Sequence, residues 1–215
     1  TTLGNHEFDY LPKGFASMLN VASQYQTPAI VDANYWPGSH EDAELVTEAM
    51  TNYGVKDYIL LERGGIHYAI FGLVGNDSDA CAPNSGMVLE NPAEVAQQTV
   101  DQAVADCKAI YGVEPIVIAL SHSGTSDDGK GEDYELAKAV KGIDLIISGH
   151  THTTLHEPIQ VADTWIVSAG EYGRYLGVVQ MERKSDGSAV LTDYELIPVD
   201  EMVEEQPDIA ELVEA

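Results

Sequence analysis

The order of sequence patterns predicts a mixed α/β fold, in which two sheets pack together and helices lie on the outside. Helical and strand-like segments alternate through most of the 215 residues, and strand-like segments separated by short turns follow. The continuous apolar run of residues 116–120, and residues 143–147, which are apolar except for Asp144, are typical of strands that are buried on both faces. The length suffices for one sizeable domain with its own core.

Helices are predicted where apolar residues recur on one face. Residues 11–26 show this period and carry Pro12 in the first turn, where proline is favoured. Residues 92–111 show the same period, and residues 131–141 give a shorter example. The final residues, 200–215, are acidic and helical in pattern, so we expect a linker rather than a part of the core.

Strands are predicted where β-branched and aromatic residues are bounded by turn residues. Arg63-Gly64-Gly65 separates two such runs and predicts a hairpin, and Ser185-Asp186-Gly187 predicts another near the end of the chain. Besides the two apolar runs, the expected strands are residues 29–31, 58–61, 67–74, 155–161, 165–168, 175–182 and 189–196.

The charge of the chain limits its partners. Ten Lys and Arg oppose 36 Asp and Glu, which leaves a formal net charge of −26. Such a surface repels nucleic-acid backbones and anionic lipid, and no apolar run reaches the ~18–20 residues of a membrane span. We therefore expect no nucleic acid duplex as a partner and no membrane insertion. An anionic substrate would need local positive charge, which metal ions can supply.

The two cysteines, Cys81 and Cys107, are too few for a disulfide framework or a thiolate metal site. Cys81 lies in a predicted loop and Cys107 late in a predicted helix, so the sequence leaves open whether they pair. Ligands for a metal ion must therefore be sought among other residue types.

The histidines carry the most specific pattern. Four of the seven lie in predicted loops within three residues of Gly or Ser, namely His6, His122, His150 and His152. Two of these loops directly follow the buried apolar runs, and side chains at the carboxyl ends of α/β strands line the usual ligand crevice. Imidazole nitrogens, together with amide and carboxylate oxygens, suit divalent Zn, Mn, Fe or Co. The pattern indicates a metal centre.

The remaining histidines, His40, His67 and His156, do not follow a predicted buried strand, and we interpret them as surface or packing residues. Two divalent ions about 3.5–4 Å apart can hold a phosphoryl group and lower the pKa of a bound water toward ~7. Phosphoryl transfer depends mainly on positioning and charge neutralisation, so such a centre would nearly suffice for it.

Three motifs in order resemble the calcineurin-like metallophosphoesterases: Gly4-Asn5-His6-Glu7-Phe8-Asp9, Ser121-His122-Ser123-Gly124 and Gly149-His150-Thr151-His152. More narrowly, the chain is similar to the bacterial 5′-nucleotidase and 2′,3′-cyclic-nucleotide 2′-phosphodiesterase branch over nearly its whole length. The resemblance implies a four-layer α/β/β/α sandwich and hydrolysis of nucleotide phosphoesters by metal-activated water. Whether the substrate is a 5′-nucleotide, a cyclic nucleotide or a UDP-sugar stays open.

The resemblance also implies the metal ligands. Asn5, His122 and His150 would bind one divalent ion, and His152 would bind a second. The identity of the ions, among Zn, Mn, Fe and Co, is left open.

A catalytic pair is implied beside these ligands. His6 would face the phosphate as a hydrogen-bond donor or acid, and Asp9 would orient it. A carboxylate on one ring nitrogen fixes the tautomer and favours the imidazolium form. The alternative for Asp9 is a helix N-cap ahead of Pro12.

Two motifs that normally precede Gly-Asn-His-Glu in this branch, Asp-x-His and Gly-Asp, do not occur in the sequence. Asp32, Asp57 and Asp77 do not lie in a context that would replace them. We therefore expect a sandwich that lacks its first strands, and a chain that alone holds one ion or none tightly and is impaired as a catalyst. Residues 1–199 would form this partial catalytic domain, and residues 200–215 would lead to an absent C-terminal nucleotide-binding domain.

Three further expectations follow. The missing strands would expose sheet edges, which invite self-association. The resemblance implies export to the periplasm, the cell wall or the medium. The alternative function is a catalytically inactive binding or scaffold module of the same fold, against which the intact set of site residues argues.

Overall fold

The computed structural model describes residues 1–184 and 187–214. Most of the turn predicted at Ser185-Asp186-Gly187 therefore lies outside the described residues. The helices are a 3-10 helix (Asn5–Phe8), α1 (Leu11–Ala22), α2 (Ala43–Tyr53), α3 (Asn76–Cys81), α4 (Pro92–Tyr111), α5 (Glu132–Ala139) and α6 (Pro207–Glu214). The strands are β1 (Tyr35–Pro37), β2 (Tyr58–Arg63), β3 (Ile66–Val74), β4 (Met87–Leu89), β5 (Ile116–His122), β6 (Leu145–Ser148), β7 (Ile159–Val161), β8 (Thr164–Val167), β9 (Tyr175–Arg183) and β10 (Ala189–Pro198).

The central feature is a six-stranded mixed sheet in the order β2-β3-β5-β6-β8-β7. Strands β3, β5, β6 and β8 are parallel neighbours, and antiparallel β2 and β7 form the two edges. The carboxyl ends of the parallel strands therefore meet at one edge of the sheet, where ligand sites usually form.

Two smaller sheets flank this one. Strands β1 and β4 pair antiparallel, and β9 and β10 form an antiparallel hairpin. The hydroxyl of Tyr194 on β10 donates to the Leu155 carbonyl at 2.8 Å, which ties the hairpin to the segment ahead of β7.

The main core lies between the sheet and helices α4 and α5. Small side chains on α4, Ala96 and Ala103, are fully buried and let this helix approach Phe71 on β3 closely. The opposite face of the sheet is more open, since Ile147 in the middle of β6 is 43% exposed. The two faces of the central sheet thus differ in how well they are covered.

A second apolar cluster holds the amino-terminal segment in place. Phe8 of the 3-10 helix packs on Phe15 of α1 and on Tyr35 of β1, with ring centroids 4.8 and 5.6 Å apart. These rings are buried with side chains of α2. The cluster fixes the segment that carries Asn5 and His6.

The predicted mixed α/β fold is confirmed, and so are most of its elements. The helix at 92–111 has the predicted bounds, and the helix predicted over 11–26 ends early, at Ala22. The strand predicted at 29–31 is wrong. Val31 makes a single isolated bridge with Lys56, and its N–H donates to the Thr1 carbonyl, so no continuous strand pairing forms here.

Other features were not predicted, or were left open. Helices α2 and α3 and strands β1 and β4 were missed, and α3 lies where a loop was expected. Cys81 is exposed and Cys107 is buried in α4, and both are free thiols. No helix among the described residues combines the length and apolar character that crossing a bilayer requires.

Candidate metal centre

The centre is built on the ends of β5 and β6. Ser121 and Ser148 are register partners, and the Gly149 N–H donates to the Ser121 carbonyl at 2.8 Å. The chain therefore leaves both strands at the same level. This brings His122 and His150 together, with ring centroids 5.1 Å apart.

The amino-terminal motif supplies the next ligand candidate. Asn5 Oδ1 lies 3.0 Å from His122 Nε2, although the two residues are 117 positions apart in the chain. Gly4 allows this approach, because a Cβ there would come within 2.7 Å of His122 Nε2. The Gly4 N–H donates to Glu7 Oε2 at 2.6 Å, so Glu7 stabilises the turn of its own motif.

The electrostatics around His122 favour a ligand. Burial, with smaller contributions from His150, His6 and His152, lowers the pKa of His122 to about 4. Its imidazole is therefore neutral at neutral pH, which is the form that binds metal ions. His150, His6 and His152 are thus close enough to His122 to influence its pKa.

His150 has a carboxylate neighbour that the sequence analysis had set aside. Asp77 Oδ2 on α3 lies 2.9 Å from His150 Nε2, and Cys81 completes a group whose ligand atoms lie within 4.8 Å of one another. The backbone of His150 is left-handed, with φ 76°, which disfavours a non-glycine residue. Asp77 follows the end of β3, so the strand-end rule that selected the histidines could also have selected it.

His152 lies to one side of this pocket. Its Nδ1 is 2.7 Å from Glu171 Oε2, in the loop after β8, and its side chain is 54% exposed. A carboxylate on Nδ1 leaves Nε2 free for another ligand and fixes the orientation of the ring. Glu171 was not predicted as a site residue, because its contact with His152 depends on two loops with left-handed residues, His152 and Tyr172.

The predicted pair His6 and Asp9 is formed. His6 Nδ1 lies 3.0 and 3.2 Å from the two carboxylate oxygens of Asp9, and both side chains are largely exposed. The alternative role of Asp9 does not occur, since the N-cap of α1 is Tyr10 and no side chain caps that helix.

The donor set fits a divalent ion. Asn5 offers an amide oxygen, and His122 and His150 offer imidazole nitrogens, the mixture that suits Zn, Mn, Fe or Co. The 3.0 Å between Asn5 Oδ1 and His122 Nε2 is the separation expected of two donors that each lie about 2.1 Å from one ion at a right angle. Asp77, beside His150, and His152, beside Glu171, are further donors next to this set.

Comparison with known proteins identifies the class. The family described as Calcineurin-like phosphoesterase matches residues 1–154, and the chain belongs to this family. Members of the family use divalent metal ions. The family resemblance stated from the three motifs is thereby confirmed.

Individual relatives narrow the comparison. The chain is 34% identical over 236 residues to the trifunctional nucleotide phosphoesterase protein YfkN of Bacillus subtilis, covering 96% of the chain and 15% of that protein. It is 28% identical over 225 residues to the snake venom 5′-nucleotidase of Crotalus adamanteus, covering 96% of the chain and 35% of the relative. The chain spans between 15% and 39% of the length of the curated relatives it matches.

Solved structures agree in fold. The 5′-nucleotidase precursor from Thermus thermophilus superimposes with a TM-score of 0.74 at 23% identity, over 98% of this chain and 41% of that one. The calcineurin-like phosphoesterase YfkN from Bacillus subtilis gives a TM-score of 0.66 at 23% identity, over 99% of this chain and 67% of that one.

Proposed function

We propose that this chain forms the phosphate-facing part of the catalytic centre of a metal-dependent nucleotide phosphoesterase. One observation carries the proposal: Asn5 and His122, 117 positions apart, meet beside His150 at the carboxyl end of the sheet, with the His6–Asp9 pair on the adjoining segment. An amide oxygen and two imidazoles that meet at the end of a sheet form a donor set that suits a divalent ion.

Asn5, His122 and His150 would hold the ion. When bound, a divalent ion supplies charge neutralisation and a water of lowered pKa. The neutral state of His122 leaves its nitrogen lone pair available to the ion without a competing proton.

His6 has a separate role in the proposal. Asp9 occupies Nδ1, so Nε2 points away from the carboxylate and can donate to a phosphoryl oxygen or give its proton to the leaving oxygen. The side chain of His6 is 73% exposed, which leaves it accessible to a substrate.

The substrate class follows from charge and from the relatives. A chain of net charge −26 repels a phosphate unless cations are present locally, so substrate binding should depend on metal. The printed names of the relatives, a nucleotide phosphoesterase and a 5′-nucleotidase, favour nucleotide phosphoesters. 5′-Nucleotides, 2′,3′-cyclic nucleotides and UDP-sugars are the candidates within that class.

Several finer points belong to the same proposal. His152, held by Glu171, would contribute to a second ion, and the chain alone would hold at most one ion tightly. Residues 200–215, which include α6, would connect residues 1–199 to a nucleotide-binding region. The exposed sheet edges would allow self-association, and the acidic surface and the venom relatives support export.

The test combines metal binding with hydrolysis. Mn²⁺, Zn²⁺ and Co²⁺ are titrated calorimetrically into the metal-free chain, and the loaded chain is assayed on 5′-AMP, 2′,3′-cyclic AMP and UDP-glucose. We expect metal binding, followed by slow metal-dependent hydrolysis of at least one ester. The binding free energy of a four-ligand Zn²⁺ site is ~10–16 kcal/mol, and we assign each ligand an equal share of it. His122→Ala should therefore lower the metal affinity by roughly 100-fold or more.

His67→Ala is the matched control. His67, at the amino end of β3, packs against Tyr111 with ring centroids 4.5 Å apart, and its loss should leave metal affinity unchanged. Equal metal binding by wild type and His122→Ala would contradict the proposal. A loaded chain that neither binds nor hydrolyses any of the three esters would instead indicate an inactive scaffold.

A further inference from the structure

A buried carboxylate lies beneath the candidate metal centre. Asp133, in the first turn of α5, is 0% exposed, and neither of its carboxylate oxygens has a hydrogen-bond partner of ordinary geometry among the described residues. An uncompensated buried carboxylate lowers the stability of the folded state, because burial removes its hydration without replacing it. A residue this unfavourable calls for a role that a smaller apolar side chain would not fill.

The groups around Asp133 indicate that role. Its carboxylate faces Ser121 Oγ, Ser148 Oγ and the N–H of Gly124. The Ser121 hydroxyl donates to Ser123 Oγ at 2.8 Å, and it can turn to Asp133 if the Ser123 hydroxyl donates in the opposite direction. Ser121 and Ser148 are register partners at the ends of β5 and β6. The Ser148 hydroxyl is buried and has no other partner among the described residues, so rotation toward Asp133 is open to it.

These two serines adjoin the metal-ligand candidates. Ser121 directly precedes His122, and Ser148 is separated from His150 only by Gly149. If the Asp133 carboxylate bonds to both hydroxyls, it fixes the distance between the carboxyl ends of β5 and β6. His122 and His150 leave the sheet at these two ends.

The start of α5 is itself fixed to the loop that follows His122. The Asp133 N–H donates to the Gly124 carbonyl at 3.0 Å. Gly131 packs so tightly on this loop that a Cβ there would lie 2.8 Å from Gly124 O and from Thr125 Cα. Asp133 thus has little freedom to move away from the serines.

We propose that Asp133 is a positioning residue for the metal centre, which bridges Ser121 and Ser148 and so sets the spacing of His122 and His150. This inference rests on the proposed function, because the spacing matters most when both histidines bind one ion. Partners behind the ligands commonly change metal affinity by about 10–100-fold.

Asp144 provides a matched control on the same two strands. Its Oδ2 accepts the Val117 N–H at 2.8 Å, and its own N–H donates to the Val117 carbonyl at 3.0 Å. It therefore joins β5 to β6 at their amino ends. Along β5, Val117 lies about 13 Å from Ser121, at about 3.3 Å per residue. Its removal should weaken the sheet without moving the histidines.

The experiment compares Asp133→Ala, Asp133→Asn and Asp144→Ala in the full chain. Zn²⁺ affinity is measured by calorimetry, thermal unfolding by circular dichroism, and the ring nitrogens of His122 and His150 by long-range ¹H–¹⁵N NMR without metal. We expect Asp133→Ala to lose about 10–100-fold in affinity and to shift both ring signals. Asp133→Asn, which keeps an acceptor oxygen, should recover most of the affinity, and Asp144→Ala should lower only the unfolding temperature.

An equal loss of affinity in Asp144→Ala and Asp133→Ala would overturn the proposal, and so would an unchanged affinity in Asp133→Ala. If Asp133→Ala does not fold, Ser148→Ala replaces it, with a smaller loss of affinity and a shift of the His150 signal expected. If the wild type binds no metal, the proposed function fails, and the ring signals alone decide the role of Asp133. Ring signals that shift in Asp133→Ala but not in Asp144→Ala would then support the positioning role of Asp133. Ring signals that do not shift in Asp133→Ala would reject that role.

Discussion

The two ends of strands β5 and β6 differ in how their polar groups are satisfied. At the amino end, Asp144 accepts the Val117 N–H at 2.8 Å, and the Thr164 hydroxyl donates to the Ile143 carbonyl at 2.8 Å. At the carboxyl end, Asp133 is buried without a partner of ordinary geometry among the described residues. The amino end closes the sheet, and the carboxyl end retains polar groups that cost stability.

Left-handed backbones of non-glycine residues occur at both ends, and the amino end has one in Ala162, with φ 51°, in the turn ahead of β8. His150 and His152, which leave the carboxyl end, both have left-handed backbones, with φ 76° and 57°. Such conformations cost on the order of 1–3 kcal/mol each and persist where the surrounding structure enforces them. The comparison teaches that the loops carrying the ligand candidates His150 and His152 have strained backbones close to a buried carboxyl group, Asp133, which is the combination expected at a functional site.

The largest expected effect is on the pH dependence of stability, and it concerns the buried carboxyl group of Asp133. Burial, opposed by the Ser121 and Ser148 hydroxyls and the Gly124 N–H, raises the pKa of Asp133 from 3.8 to about 7. The folded state therefore binds a proton that the unfolded state releases between about pH 4 and 7. The contribution of this group to stability is full below about pH 4 and is lost as the pH rises through 7, by up to about 4 kcal/mol.

Asp133→Asn removes this titration. Its free energy of unfolding relative to wild type should rise by a few kcal/mol between about pH 4 and 8, measured by urea denaturation at a series of pH values. Asp144→Asn should show a smaller change of the same sign, because burial raises the pKa of Asp144 while the Val117 N–H opposes the shift. A pH-independent difference for Asp133→Asn would remove the distinction between the two strand ends.

The next largest effect is expected on the binding of inorganic phosphate at the carboxyl ends of β5 and β6. His6→Ala should weaken binding of inorganic phosphate to the metal-loaded chain by roughly 10–100-fold, because a hydrogen bond to a charged group contributes about 1.5–3 kcal/mol. Metal affinity should stay unchanged, as measured by calorimetry. His156→Ala, whose ring packs against Tyr175 with centroids 6.0 Å apart, should change neither quantity. A parallel fall in metal affinity in His6→Ala would mean that His6 is a ligand.

The smallest effect is expected at the amino end. Thr164→Val removes the buried hydrogen bond to the Ile143 carbonyl and should lower the free energy of unfolding by about 1 kcal/mol. Urea denaturation measures that loss, and calorimetry should find the same metal affinity as in wild type. A weakened metal affinity would show that the two ends are coupled more strongly than their hydrogen bonds indicate.

The candidate site was partly predictable. His122 and His150 were found because each follows an apolar run, a local pattern that marks the end of a buried strand. Asp77 was considered and set aside although it too follows a strand end, and Glu171 was missed because its contact with His152 depends on the loop after β8. Asp133 belongs to an acidic first turn of α5, which in the sequence is typical of a solvated helix start.

The sequence by itself determined the class of fold, most helices and strands, the family and the residues of the candidate metal centre. These depend on periodicity and on short motifs, which are properties of neighbouring residues. The tertiary structure alone decided which polar group meets which: His150 with Asp77, His152 with Glu171, and Asp133 beneath two serines. The partners of a side chain depend on the parallel register of strands that are distant in the chain, and no local pattern encodes that register.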